Sequence, residues 1–215
     1  TGAEAILLCE VDGTNAEVSE HVMQIQELMR HCGATEVRTA RDEQERMTFW
    51  KGRKAAFPAV GRLAPDYYCM DGTIPRKRLP EVLLRMRALS EEYGLSVANV
   101  FHAGDGNLHP LILYDANKPG ELQRTEEFGG RILELCVEVG GTITGEHGVG
   151  VEKINQMCVQ FSGAELQQFH ALKHAFDPLA LLNPGKAVPT LHRCAEFGAQ
   201  HVHHNELPFP GLERF

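Results

Sequence analysis

Two apolar runs, residues 96–103 and 108–114, are separated by the turn-prone tetrad Gly104-Asp105-Gly106-Asn107. A turn of this kind lets the flanking strands run back beside each other, so the fold contains an antiparallel hairpin. Elsewhere helix and strand signals mix without a strict β-α-β alternation. Val18, Val22, Ile25, Met29 and Cys32 recur at helical spacing and stop at Gly33. Asp42 is placed to cap a helix through Trp50 to Ala56, with Pro58 ending it. Pro80 opens another helix, with Val82, Leu83, Met86, Leu89 and Tyr93 as its apolar face before Gly94. Further helices are expected over 120–139, burying Phe128, Ile132, Leu135, Cys136 and Val139, and over 163–175. A buried strand is expected over 5–11, and shorter ones over 36–40, 66–71 and 142–144. The fold expected from this pattern is α+β, an antiparallel sheet with helices packed on one face, followed by an ordered Pro- and His-rich tail.

Charge narrows the function. The 215 residues carry 29 acids against 21 bases, a formal charge of -8. A net negative chain is a poor candidate for nucleic acid, which is held by clustered Lys and Arg. An anionic substrate would need positive charge concentrated locally, by a few basic residues or a metal. No apolar run reaches the roughly 18 residues of a membrane-spanning helix. The start, from Thr1 into an apolar run at Ala5, lacks an initiator Met and a signal-peptide pattern, and reads as a cut inside a longer protein or a processed terminus. The six cysteines (Cys9, Cys32, Cys69, Cys136, Cys158, Cys194) are far apart with no C-x-x-C pair, and reduced thiols in a cytoplasmic protein are expected.

Two clusters carry chemistry. In His102-Ala-Gly-Asp105-Gly-Asn107-Leu-His109 the turn brings two imidazoles toward one point. Imidazole suits Zn, Fe, Ni or Cu, and a carboxylate as third ligand would complete an open site. Two histidines that each hydrogen-bond a backbone carbonyl near a turn are the plainer alternative. The second cluster, Thr144-Gly145-Glu146-His147-Gly148-Val149-Gly150, sets a carboxylate beside an imidazole among glycines. Adjacent residues on an extended segment point to opposite sides, so Glu146 and His147 need different tasks or a turn. Glu146 as ligand and His147 as base satisfies that geometry. The stretch lacks the G-K-[ST] ending of a phosphate-binding loop.

Together with Asp177-Pro-Leu-Ala-Leu-Leu-Asn183-Pro-Gly-Lys186, these motifs resemble the C-terminal domain of FAD-linked oxidases, flavoenzymes of the vanillyl-alcohol-oxidase type. The resemblance runs over essentially the whole chain. It implies a ferredoxin-like-derived cap and substrate domain over residues 1–160. Residues 161–215 would form a helical segment and tail that pack toward an N-terminal FAD-binding domain. It implies an FAD-dependent 2-hydroxyacid dehydrogenase that oxidises a small 2-hydroxy acid to the 2-oxo acid by hydride transfer to flavin, with metal-assisted proton abstraction. On the family's motifs His102, His109 and Glu146 would bind a divalent metal (Zn, Fe or Mn), His147 would be the general base, and Asn183 and Lys186 would contact the flavin. Asp105 and Asn107 would orient the ligand imidazoles. Arg53 matches the family's substrate-carboxylate Arg. The Lys and Thr that hold a second carboxylate in hydroxyglutarate-type relatives fall on Cys69 and Phe57, which points to a monocarboxylate such as glycolate or D-lactate. The tract His201, His203, His204 then belongs to the family's tail. Other oxidase subunits are implied partners, through which a cytoplasmic protein could sit at the inner membrane. A stand-alone metal-binding hydrolase and a non-catalytic subunit-interaction module are the alternatives.

Overall fold

The computed structural model of the chain describes residues 3–189. They fall into two compact units, the first ending at Ala59 and the second beginning at Val60.

The first unit holds helices α1 (Asn15–His31) and α2 (Glu43–Lys54). Each begins where a side chain satisfies an otherwise unpaired backbone N–H. At α1, Thr14 and Glu17 form a reciprocal capping box. At α2, Asp42 accepts from the Glu45 N–H at 2.8 Å, as the sequence predicts. Pro58 does not end that helix. It sits in the first turn of a short α3 (Ala56–Val60), where a missing N–H forfeits no helical bond. The strands expected over 5–11 and 36–40 do not form: both segments lack regular structure, and Ile6 and Leu7 are exposed. An apolar run signals a capacity for burial, but a strand also needs a partner ladder, and no described strand pairs with either segment.

The second unit is α+β. Strands β1 (Asp66–Cys69), β2 (Val97–Asn99) and β3 (Pro110–Tyr114) make one antiparallel sheet in the order β1-β3-β2. The expected hairpin is β2-β3, with Val97 opposite Ile112 and Asn99 opposite Pro110. Helices α4 (Leu79–Tyr93) and α5 (Glu121–Glu138) follow β1 and β3. Val82 and Met86 of α4, Ile112 of β3, and Phe128, Ile132, Leu135 and Cys136 of α5 form one buried cluster. Tyr93 stacks on Phe128 with ring centroids 5.1 Å apart. The other side of α5 presents Leu133 to Met70, Ile143, Met157 and Leu166, where Met157 opens α6 (Met157–Gln160) and Leu166 lies on α7 (Gly163–Phe176). Each such aliphatic or aromatic side chain contributes about 1.5–3 kcal/mol by leaving water. The expected strand at 142–144 is reduced to a single bridge, Thr142 with Thr73.

After α7, Asp177 accepts from the N–H groups of Leu181 and Leu182, each at 2.9 Å, and the Lys173 ammonium lies 3.1 Å from its carboxylate. These bonds hold the Asp177 carboxyl below its usual range, the Leu182 amide contributing most. The histidine tract at 201–204 lies outside the described residues. Among those described, no helix is long and apolar enough to cross a membrane. Cys9, Cys32, Cys69 and Cys136 are free thiols.

Candidate metal centre and its surroundings

The site forms around residues 71–75, which follow β1 and run between the two chemical motifs. On one side the Ile74 N–H donates to Gly106 O at 2.9 Å and the Leu108 N–H to Gly72 O at 2.9 Å. On the other side Thr73 and Thr142 exchange bonds at 3.0 and 2.8 Å, and the Gly145 N–H donates to Asp71 O at 2.7 Å. Glycine is required at both flanks. Gly106 has φ +74°, and a Cβ there would collide with the Ile74 carbonyl; at Gly145 a Cβ would strike the side chains of Asn107 and Thr73. The hairpin motif and the α5-distal motif are therefore pressed against one strap.

This arrangement brings His102, His109 and Glu146 together. One donor atom from each lies within 4.8 Å of the others. His109 Nε2 is 2.9 Å from Glu146 Oε1. The His102 and His109 rings meet edge to face at 5.4 Å. His109 is buried, while His102 and Glu146 are exposed at the mouth of a cleft of about 340 Å³ lined by Thr73, His102, Asp105, Asn107, Gly145 and Glu146. Two imidazoles and a carboxylate around an open space suit a divalent transition metal with a free coordination position. Asn107 Nδ2 lies 3.5 Å from His109 Nε2, and the Thr73 hydroxyl donates to Asn107 Oδ1 at 3.4 Å. Asp105 lines the same cleft and gives its backbone N–H to the His102 carbonyl at 3.1 Å.

His147 joins the cluster by a different route from the one alternation suggests. Residues 145–147 are bent, so Glu146 and His147 do not diverge. The His147 ring stacks on His109 at 5.1 Å with 13° between planes, and its Nε2 lies 3.7 Å from Glu146 Oε1. The bend closes on Asp71, which the sequence marks only as the start of a D-x-x-x-P pattern and not as a site residue. Its Oδ2 accepts from the N–H groups of Gly145 (3.0 Å), Glu146 (2.8 Å) and His147 (2.7 Å). Asp71 is fully buried and paired with Lys153, itself 1% exposed. Burial pushes the Lys153 ammonium down to about 8. Nothing in the spacing marks two residues 82 positions apart as partners.

The remaining expected site residues stand elsewhere. Arg53 is half-buried on α2 of the first unit. Asn183 and Lys186 are exposed in the turn beyond α7, where Asn183 adopts φ +46° and the Lys186 N–H donates to Asn183 O at 3.3 Å. The next residue, Ala187, gives its N–H to Gly150 O at 2.8 Å, tying that turn to the end of the Glu146 loop. Burial, the largest influence, pushes the Cys69 thiol up to about 11, so it is uncharged at neutral pH.

The model of the family described as FAD linked oxidases, C-terminal domain, matches residues 1–187. The glycolate oxidase subunit GlcD of Escherichia coli (strain K12) is 68% identical over 99% of this chain and 43% of its own length. The subunit of the same name in Bacillus subtilis (strain 168) is 37% identical over 86% of this chain and 40% of its own. A probable mitochondrial D-lactate dehydrogenase of Danio rerio is 32% identical over 85% of this chain and 37% of its own. The chain thus spans less than half the length of these relatives.

Proposed function

Because the chain belongs to the family of FAD-linked oxidase C-terminal domains, we propose that it is the substrate-binding cap of an FAD-dependent 2-hydroxyacid dehydrogenase. The observation that carries the reading is the convergence of His102, His109 and Glu146 beside His147. The reaction takes a small 2-hydroxy acid to the 2-oxo acid. FAD, held by an N-terminal domain, would supply the acceptor for the hydride of carbon 2 and its electron pair, and the hydroxyl proton would go to His147. His102, His109 and Glu146 would hold a divalent Zn, Fe or Mn. A bound cation of this kind supplies Lewis acidity that makes the substrate hydroxyl a stronger acid. His147, exposed and stacked on His109, would receive the proton. Asn107, fixed by Thr73, orients the His109 ring, and Asp105 shapes the cleft wall.

Arg53 would hold the substrate carboxylate, and Asn183 and Lys186 would face the flavin. Residues 1–160 serve as the cap, and 161–215 lie toward the FAD domain. Support for the latter comes from Phe176, Leu179, Leu181 and Leu182, apolar side chains exposed at the end of α7 and just beyond. We place the enzyme in the cytoplasm, assembled with other oxidase subunits. No observation favours the stand-alone hydrolase or the non-catalytic module.

An uncharged Cys69 and an aromatic Phe57 favour a monocarboxylate. The test is dye-coupled oxidation by the whole flavoprotein that carries this chain, supplied in turn with glycolate, D-lactate and 2-hydroxyglutarate. Turnover with glycolate or D-lactate at least about tenfold above 2-hydroxyglutarate is expected, about 1.4 kcal/mol of discrimination. Preference for the dicarboxylate would overturn the substrate reading, and no turnover with any of the three would overturn the activity.

A further inference from the structure

The Glu146–His147 loop is not held by a strand, a helix or an apolar core. Its polar backbone is organised around one carboxylate oxygen. Three successive N–H groups, those of Gly145, Glu146 and His147, converge on Asp71 Oδ2 at 3.0, 2.8 and 2.7 Å. Successive amides that close on an anion form a nest, a concavity with its own positive potential. Anions found in such nests are often ligands. Here the anion is internal and comes from the strap after β1.

The rest of the Asp71 carboxylate is equally occupied. Lys153 pairs with Oδ1, and the Thr144 hydroxyl lies 3.2 Å from Oδ1 and 3.1 Å from Oδ2. Thr144 Oγ1 in turn accepts the Gly148 N–H at 2.9 Å and lies 3.3 Å from the Lys153 ammonium. Every amide from Gly145 to Gly148 is therefore bound to Asp71 or to a hydroxyl that touches it. A carboxylate with no exposure is tolerable only when fully paired and hydrogen-bonded, which Lys153 and the nest together achieve. A buried ion pair can be replaced by apolar residues without loss of stability. Its presence here therefore calls for another explanation, and the nest supplies one.

We propose that Asp71, neutralised by Lys153, is the positioning residue of this site: its carboxylate bends the 145–147 backbone so that Glu146 and His147 turn together toward His109. Without the nest the segment has no reason to bend, and the two side chains would diverge as on any extended strand. The inference rests on the metal-centre reading above for its functional consequence, and on hydrogen bonding alone for its structural one.

The experiment uses the whole 215-residue chain and two readouts. Amide hydrogen exchange is followed at Gly145, Glu146 and His147, with the amides of Ile132 and Leu133 on α5 as internal reference. Cobalt(II) binding is followed by its visible absorption, whose position and intensity report the ligand set. In the unmodified chain the three loop amides should exchange as slowly as the α5 amides; loop amides that exchange like free coil overturn the proposal without any variant. Asp71→Ala should release the Glu146 and His147 amides while α5 stays protected and Gly145 keeps its bond to the residue 71 carbonyl, and should weaken cobalt binding about 10–100-fold, the usual effect of removing a group that orients a ligand. The double variant Asp71→Asn with Lys153→Met keeps an acceptor oxygen while removing both charges. It should restore loop protection and cobalt binding to within about threefold of the unmodified chain. Glu146 and His147 amides that stay slow in Asp71→Ala would overturn the proposal, as would a double variant that loses the loop and α5 together, since the pair would then serve only global stability. If the unmodified chain binds no cobalt, the metal reading fails, and the exchange data still decide the role of Asp71.

Discussion

The two halves of the candidate metal centre are built in opposite ways. The hairpin half is local. His102 and His109 flank a turn whose backbone closes on itself, His102 N–H to Asn107 O at 3.0 Å and Val100 N–H to His109 O at 3.3 Å. The loop half is remote. Glu146 and His147 take their orientation from Asp71, 75 and 76 positions earlier in the chain. One half is thus encoded by neighbours, and the other by a single buried charge pair. The difference matters because the proposed metal would need both: two imidazoles from the local half and the anionic ligand from the remote one.

The hardest way to break that comparison is to remove one ligand from each half. His109→Ala deletes the buried imidazole of the hairpin, and Glu146→Ala the only carboxylate among the three donors. Either change leaves two donors, too few for a stable site. Bound metal in the whole flavoprotein should fall to background, and turnover should fall with it. Elemental analysis of the purified variants checks this. Retention of full metal by either variant would show that the two halves do not share one ion.

A smaller and more selective effect is expected at His147. It belongs to the remote half, yet the proposed function gives it the proton and not the metal. His147→Ala should lower turnover about 10²–10⁴-fold, the contribution of a positioned base. Metal content should survive. Its Nε2 lies only 3.7 Å from Glu146 Oε1, so the two tasks are separated by chemistry and not by distance. Steady-state turnover and metal content measured on the same preparation separate them. Normal turnover, or metal loss comparable with that of Glu146→Ala, would reassign His147.

The same contrast governs what could be read from the sequence. The hairpin was legible because its signals are adjacent: an apolar run, a Gly-rich turn and a second run report directly on β2, β3 and the imidazoles between them. Helix starts at Asp42 and Gly163, and the buried stripe of α5, were legible for the same reason of short range. The bend at Glu146–His147 was not, since period-2 alternation predicts divergence and only the distant Asp71 overrides it. Residues 5–11 failed in the converse way. Their apolar run promised a strand, but pairing depends on a neighbouring edge that a local pattern cannot supply. Gly-rich composition marked 144–150 as unusual without saying what the glycines make room for.

The smallest effects distinguish the halves by their glycines. Gly106 in the hairpin and Gly148 in the loop share a left-handed backbone, φ +74° and +81°. Their surroundings differ. A Cβ on Gly106 would drive into the Ile74 carbonyl, a backbone atom that cannot move aside, whereas nothing lies within 4 Å of a Cβ on Gly148. Gly148→Ala therefore carries only the left-handed penalty, about 1–2 kcal/mol. Gly106→Ala carries that penalty plus overpacking, which adds about 1–3 kcal/mol, and it breaks the Ile74 N–H to Gly106 O bond that ties hairpin to strap. Urea unfolding of the two variants, compared at equal slope, measures the difference. Gly106→Ala should have the lower midpoint and should also lose cobalt affinity, because His102 and His109 ride on the displaced turn. Gly148→Ala should keep its cobalt affinity within a few-fold, since the amide of residue 148 bonds to Thr144 and the three that fix Glu146 and His147 are untouched. Equal midpoints would mean that the strap yields at Ile74, and the hairpin would then be no more rigid than the loop it faces.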